Sequence, residues 1–92
     1  MLNSKDIVAA LIAAEDHEIW HGSGHTIACG FESAEQVEDL SAVDATIELA
    51  FDSRPEDFEE EAAAYFSSPD IRADVNLQMQ VYFRSRFAKS EE

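Results

Sequence analysis

Residues 75–84 read VNLQMQVYFR and carry the most regular pattern in the chain. The side chains at 75, 77, 79, 81 and 83 are apolar, and those between them are polar or amphipathic. Because side chains alternate across a β-strand, this pattern predicts a ten-residue strand with one buried and one exposed face. An antiparallel sheet with one face in water accommodates such a strand.

Residues 46–52 alternate in the same way and predict a second strand. A continuous helix over 34–51 is an alternative, since apolar residues also recur there at helical spacing. Ser41 and the β-favouring pair Thr46-Ile47 favour a break between the two halves. The capping box Ser33-Ala34-Glu35-Gln36 then predicts a short helix through about Leu40.

Helices are predicted elsewhere from capping residues and apolar spacing. Asn3 or Ser4 caps a helix over 4–16, and the box Ser53-Arg54-Pro55-Glu56 begins another that ends near Ser67-Ser68-Pro69. Residues 21–25, HGSGH, resemble a hairpin turn between extended segments. The first helix continuing to Trp20 and stopping at Gly22 is the alternative for residues 17–21.

The order of these elements predicts an α+β fold, with a small antiparallel sheet of about four strands and helices packed on one face. A chain of 92 residues builds a single core, so we expect one domain over 1–92. Hydrophobic residues make up 46% of the chain, which is too much for a disordered acidic tail. The sequence leaves the oligomeric state open.

Charge is the feature that bears on function. The 20 acids and 6 basic residues give a formal net charge of −14. Residues 31–64 carry 12 of those acids and one basic residue, Arg54. Such a chain repels nucleic acid, so direct nucleic-acid binding is excluded. The longest apolar run, residues 7–14, is too short to cross a membrane. A basic protein surface is therefore the expected partner.

The predicted partner-binding residues are the carboxylates of this acidic middle. They are Glu56, Asp57, Glu59, Glu60 and Glu61 on the second capped helix, Asp44, Glu48 and Asp52 on the solvent face of the 46–52 strand segment, and Glu35, Glu38 and Asp39 before it. Their alternative role is solubility alone. In that case a non-enzymatic interaction or regulatory module would bind protein through a polar sheet face, formed by Asn76, Gln78, Gln80 and Tyr82, or through its strand edges.

Catalysis and cofactors are not expected. His17, His21, His25 and Cys29 are spaced by four residues, but His25 and Cys29 on one strand would lie roughly 13 Å apart, too far for one zinc ion. No phosphate-binding glycine loop or nucleophile motif is present. We therefore predict no metal site, no cofactor and no enzyme activity. The lone Cys29 fits a reducing compartment such as the cytoplasm.

The segment from Trp20 to Thr26, WHGSGHT, follows an alanine-rich helix. Over about residues 9–26 it resembles a small acidic phage anti-CRISPR protein family that inhibits the type I-F surveillance complex. The resemblance implies phage counter-defence in the host cytoplasm by a DNA mimic. Its carboxylates would bind a lysine-rich site on a CRISPR-Cas effector complex and compete with DNA.

Overall fold

The computed structural model describes residues 3–16, 31, 33–52 and 59–90, which form five α-helices. They are α1 (Ser4–Asp16), α2 (Ala34–Val37), α3 (Leu40–Asp52), α4 (Glu59–Ser67) and α5 (Pro69–Ser90). No strand occurs among these residues, so the described part of the chain is all-α. The predicted α+β fold, with a four-stranded antiparallel sheet and helices on one face, is wrong here.

The predicted strand at 75–84 lies inside α5. Three of its apolar residues, Val75, Met79 and Phe83, are four apart and at most 1% exposed, because that spacing keeps them on one helix face. Leu77 and Val81 lie on the opposite side and are 50% and 68% exposed. The alternating apolar pattern of residues 75–84 therefore has two origins. Val75, Met79 and Phe83 form the buried face of a helix, and the apolar residues between them lie on its surface.

The proposed polar sheet face disappears with the strand. Asn76 is buried, and Gln80 donates from Nε2 to the carbonyl oxygen of Glu38 at 3.1 Å. Gln78 instead donates to Asp74 within α5 at 3.1 Å. Residues two apart differ by about 200° around a helix, so these side chains cannot form one surface.

The predicted strand at 46–52 is also wrong, since these residues belong to α3. Thr46, which favours strands, fits the helix because its hydroxyl donates to the carbonyl of Ala42 at 3.0 Å. The continuous helix over 34–51 is interrupted as well. α2 ends at Val37 rather than near Leu40, and Asp39 starts α3 by accepting the Ser41 amide at 2.8 Å.

Helix ends were predicted better than strands. α1 matches the predicted 4–16 helix, and its cap is reciprocal. Asn3 Oδ1 accepts the Asp6 amide at 2.9 Å, while the Asn3 amide donates to the Asp6 carboxylate at 3.4 Å. α4 ends at Ser67 as expected. Ser33 precedes α2 without a side-chain cap bond. The 53–56 capping box and the 17–30 turn region lie outside the described residues.

The long helix α5 organises the packing. Its 22 residues span about 33 Å, and the other four helices pack against it. α3 runs antiparallel to α5, because Asp44 contacts Arg72 and the earlier Glu38 contacts the later Arg84. The largest fully buried side chains come from several helices: Ile7, Leu11, Val37, Val43, Ile47, Tyr65, Val75, Met79 and Phe83. Among the described helices, none combines the length and apolarity needed to cross a bilayer.

Candidate functional site

A group of polar side chains joins α3, α4 and α5, and we call it the Asp44 network. It consists of Asp44, Glu48, Tyr65, Arg72 and Asn76. Arg72 Nη2 donates to Asp44 Oδ2 at 2.5 Å and to Glu48 Oε1 at 3.2 Å. The Tyr65 hydroxyl donates to Asp44 and lies 3.1 Å from Asn76 Oδ1. Asn76 Nδ2 donates to Asp44 Oδ1 at 3.3 Å.

Aromatic rings cover one side of Arg72. Its guanidinium carbon lies 5.4 Å from the ring centre of Tyr65 and 5.8 Å from that of Phe66, which is within cation–π range. Phe51 at the end of α3 contacts both rings, at 5.2 and 6.1 Å. Beside them, α3 and α5 border an open cleft of about 410 Å³. Its walls mix apolar and polar side chains: Leu40, Ser41, Asp44, Phe66, Pro69, Arg72, Ala73 and Asn76.

The Asp44 network connects three helices through one carboxylate. Both Asp44 oxygens accept hydrogen bonds from the protein, and the Asp44 side chain is only 21% exposed. These three hydrogen bonds hold the Asp44 carboxylate between α4 and α5. Among the described residues, no group of three or more His, Cys, Asp and Glu side chains could hold a metal ion. His17, His21, His25 and Cys29 fall outside those residues.

The structure separates the predicted partner-binding residues into three settings. Asp44 and Glu48 turn towards Arg72 in the Asp44 network. A first exposed set, the α2 acidic group, surrounds the α2–α3 junction and contains Glu35, Glu38 and Asp39. A second set, the α4 acidic group, contains Asp52, Glu59, Glu60 and Glu61. Glu56 and Asp57 lie outside the described residues.

The α4 acidic group lies at the last residue of α3 and in the first turn of α4. Asp52 follows Phe51, whose ring contacts Tyr65. Glu61 precedes Tyr65 by one helical turn, about 6 Å. Glu59 and Glu60 are exposed in the first turn of α4, where the helix dipole favours negative charge. The Phe51–Tyr65 ring contact joins the two helices that carry these carboxylates.

The two acidic groups lie at opposite ends of α3. Thirteen residue steps separate Asp39 from Asp52, a span of about 20 Å along the helix. The ion pairs between described residues are Arg72 with Asp44, Arg72 with Glu48, and Arg84 with Glu38. None of these pairs involves the α4 acidic group, in which Asp52, Glu59 and Glu60 are exposed and Glu61 is partly buried.

Sequence reasoning missed the basic and neutral members of the Asp44 network. The predicted partner-binding residues are all acidic and do not include Arg72, and Asn76 was placed on a sheet face. A helical interpretation puts Asp44 and Glu48 one turn apart, and likewise Arg72 and Asn76. Two matching pairs on neighbouring helices are the signal that indicates such a network.

Comparison with protein-family models, with curated proteins and with solved structures found no match. The geometry of the described helices is therefore the basis for the function argued next.

Proposed function

We propose that this chain is a small acidic inhibitor that binds a basic, nucleic-acid-binding surface of a partner protein and blocks it. The observation that carries the proposal is the α4 acidic group. Its four carboxylates lie at the last residue of α3 and in the first turn of α4, and the ion pairs between described residues leave them unneutralised. Glu56 and Asp57 come shortly before this group in the sequence and add two further negative charges to the segment.

The negative charge of the α4 acidic group acts on a partner at long range. Unpaired charges on a chain of net charge −14 attract a basic groove before contact, and they speed association at low salt. The α2 acidic group, about 20 Å away along α3, supplies a second point of contact. Two separated acidic groups match an elongated basic groove better than a single basic spot.

The resemblance of residues 9–26 to type I-F anti-CRISPR proteins suggests one such partner. A CRISPR-Cas effector complex holds DNA in a basic channel, and a phage protein blocking that channel would act in the host cytoplasm. In this proposal Asp44 and Glu48 support the fold through Arg72, and the exposed acidic groups bind the partner.

The first test uses a charge reversal at the α4 acidic group. The full chain is immobilised, exposed to a nuclease-treated host lysate, and washed at low and high salt. We expect the immobilised chain to retain nucleic-acid-binding proteins. Adding duplex DNA or raising the salt concentration should release these proteins from it. Glu59→Lys with Glu60→Lys should abolish this retention, because repulsion replaces attraction at the contact. Titrating the chain into a captured protein should reduce the DNA which that protein binds.

The matched control is Glu91→Lys with Glu92→Lys, which changes the net charge by the same amount outside the acidic middle. It should retain the same proteins as the original chain. Circular dichroism checks that both variants stay helical. Equal capture by the two double variants would contradict the proposal and indicate that the acidity serves solubility alone.

A further inference from the structure

One face of α5 contributes no side chain to the apolar core formed by the described residues. We call it the outer face, and it consists of Asp70, Ala73, Leu77, Val81 and Arg84. All five residues are exposed, with Leu77 at 50% and Val81 at 68%. They fall within an arc of about 80°, since each residue advances the helix by about 100°. Two large apolar side chains thus lie in water, and the core of the chain makes no use of them.

The spacing along the outer face is symmetric about Leu77. Ala73 and Val81 lie four residues on either side of Leu77, and Asp70 and Arg84 lie seven residues on either side. When two such helices run antiparallel, residue 77 meets residue 77, and each Ala73 meets the Val81 of the other helix. Each Asp70 then meets an Arg84. The acidic end of the outer face on one copy therefore meets the basic end on the other copy only when the two helices are antiparallel.

We propose that the outer face of α5 binds a second copy of this chain, in an antiparallel pair about a two-fold axis at Leu77. Such an interface uses the same patch on both copies and closes at two members. Helices packed 8–10 Å apart bring the two Leu77 side chains into contact. This inference is independent of the proposed inhibitor function, which relies on other surfaces.

Arg84 is free to change partners. Its bond to Glu38 is 3.4 Å long, and the two side chains are 55% and 60% exposed. An ion pair so open to water contributes little to stability. Asp70 is exposed in the first turn of α5. The charge complementarity between the two ends of the outer face thus favours a copy of this chain over an unrelated apolar helix.

The contact spans about 21 Å of helix on each copy, which puts it at the small end of protein interfaces. We therefore expect a weak dimer whose population rises with protein concentration. Sedimentation equilibrium from low micromolar to millimolar concentration measures this directly. A chain that stays monomeric over the whole range would overturn the proposal.

Charge exchange tests the register. Asp70→Arg alone and Arg84→Asp alone should each weaken the dimer about tenfold, because each turns two attractive contacts into repulsive ones. The double variant Asp70→Arg with Arg84→Asp restores opposite charges and should recover the original affinity. Asp70→Arg also makes the chain less negative, so general repulsion alone would strengthen association. Glu91→Arg, with the same charge change outside residues 70–84, measures that general effect.

Cross-linking provides a readout that does not depend on affinity. In a Cys29→Ala background, Leu77→Cys should form a disulfide-linked dimer under mild oxidation. Ser85→Cys should not, since the two copies of residue 85 would lie about 24 Å apart along the paired helices. Equal cross-linking at both positions, or a dimer that Asp70→Arg does not weaken, would overturn the antiparallel pairing.

Discussion

Tyr65 shows how one buried hydroxyl holds the acidic helix α3 against the rest of the molecule. The residue is fully buried, and its ring packs on Phe51 while its hydroxyl donates to Asp44. Tyr65→Phe keeps the ring contacts and removes the donor. We expect the free energy of unfolding to fall by about 1–3 kcal/mol, because Asp44 loses a hydrogen bond in a partly buried site. Urea denaturation followed by circular dichroism measures the change.

Tyr82→Phe is the matched control at the residue scale. Tyr82 is half-buried, and its hydroxyl accepts a hydrogen bond from the exposed Arg86 at 3.0 Å. Removing that hydroxyl should cost less than removing the Tyr65 hydroxyl, because the exposed Arg86 can bond to water instead. Equal losses in the two variants would mean that the Asp44 network adds nothing beyond an ordinary surface contact.

At the element scale, α5 permits a direct comparison between a strand and a helix. Met79 is fully buried and Leu77 is 50% exposed. In a β-strand both side chains would lie on the same face. Met79→Ala should destabilise the chain by about 2–5 kcal/mol, because it leaves a cavity in the core. Leu77→Ala should cost less than about 1 kcal/mol. Denaturation of both variants, at concentrations too low for association, measures the difference. Similar large losses would indicate a strand.

Sequence patterns gave the helix ends more reliably than the helix interiors. Asn3 and Asp6 form their cap from residues three apart, so local sequence contains the whole interaction. The start of α5 was equally local, since Ser68 Oγ accepts the Ile71 amide at 3.3 Å and Pro69 occupies the first turn. The Ser-Pro pair was read only as the end of α4. Recognising it as a start would have favoured a helix over 75–84.

The interiors were misread because two apolar patterns overlap in them. In residues 75–84, alternation and a four-residue repeat share Val75, Met79 and Phe83, and only Leu77 and Val81 distinguish the patterns. Those two residues satisfy the alternation and remain outside the core. If the outer face binds a second copy, an intermolecular requirement produced the strand-like pattern.

At the scale of the whole molecule, the sequence shows where the acidic residues are concentrated along the chain. It does not show which of them form ion pairs with basic residues. Among the described acids of residues 31–64, the structure leaves six exposed and three partly buried; the partly buried ones are Asp44, Glu48 and Glu61. The sequence could not show that Arg72 would bind Asp44, which is 28 positions away in the chain, because that contact depends on how α5 crosses α3. Charge composition therefore predicts that the chain has an acidic surface. The packing of the helices determines which acidic side chains remain free to bind a partner.

The remaining charge should make the stability of the chain depend on salt. The Cα radius of gyration is 12.2 Å, so two acidic side chains are typically about 20 Å apart. At that distance two negative charges repel each other by about 0.2 kcal/mol in water. Many such pairs at a net charge of −14 outweigh the exposed ion pairs, which contribute about 0–1 kcal/mol each. Raising NaCl from about 0.01 to 0.15 M shortens the screening length from about 30 to 8 Å. Each kcal/mol of relieved repulsion should raise Tm by about 4–8 °C.

Differential scanning calorimetry at the two NaCl concentrations measures this shift, and a charge-reduced variant identifies its origin. Glu59→Gln with Glu60→Gln removes two negative charges from the α4 acidic group while keeping the side-chain shape. The variant should show a smaller rise in Tm with salt than the original chain, because less repulsion remains to be screened. A Tm that falls with added salt would mean that attraction at Arg72 and Arg84 exceeds the repulsion among the exposed acids. The acidic surface would then be balanced within the molecule, leaving little net field to attract a basic partner.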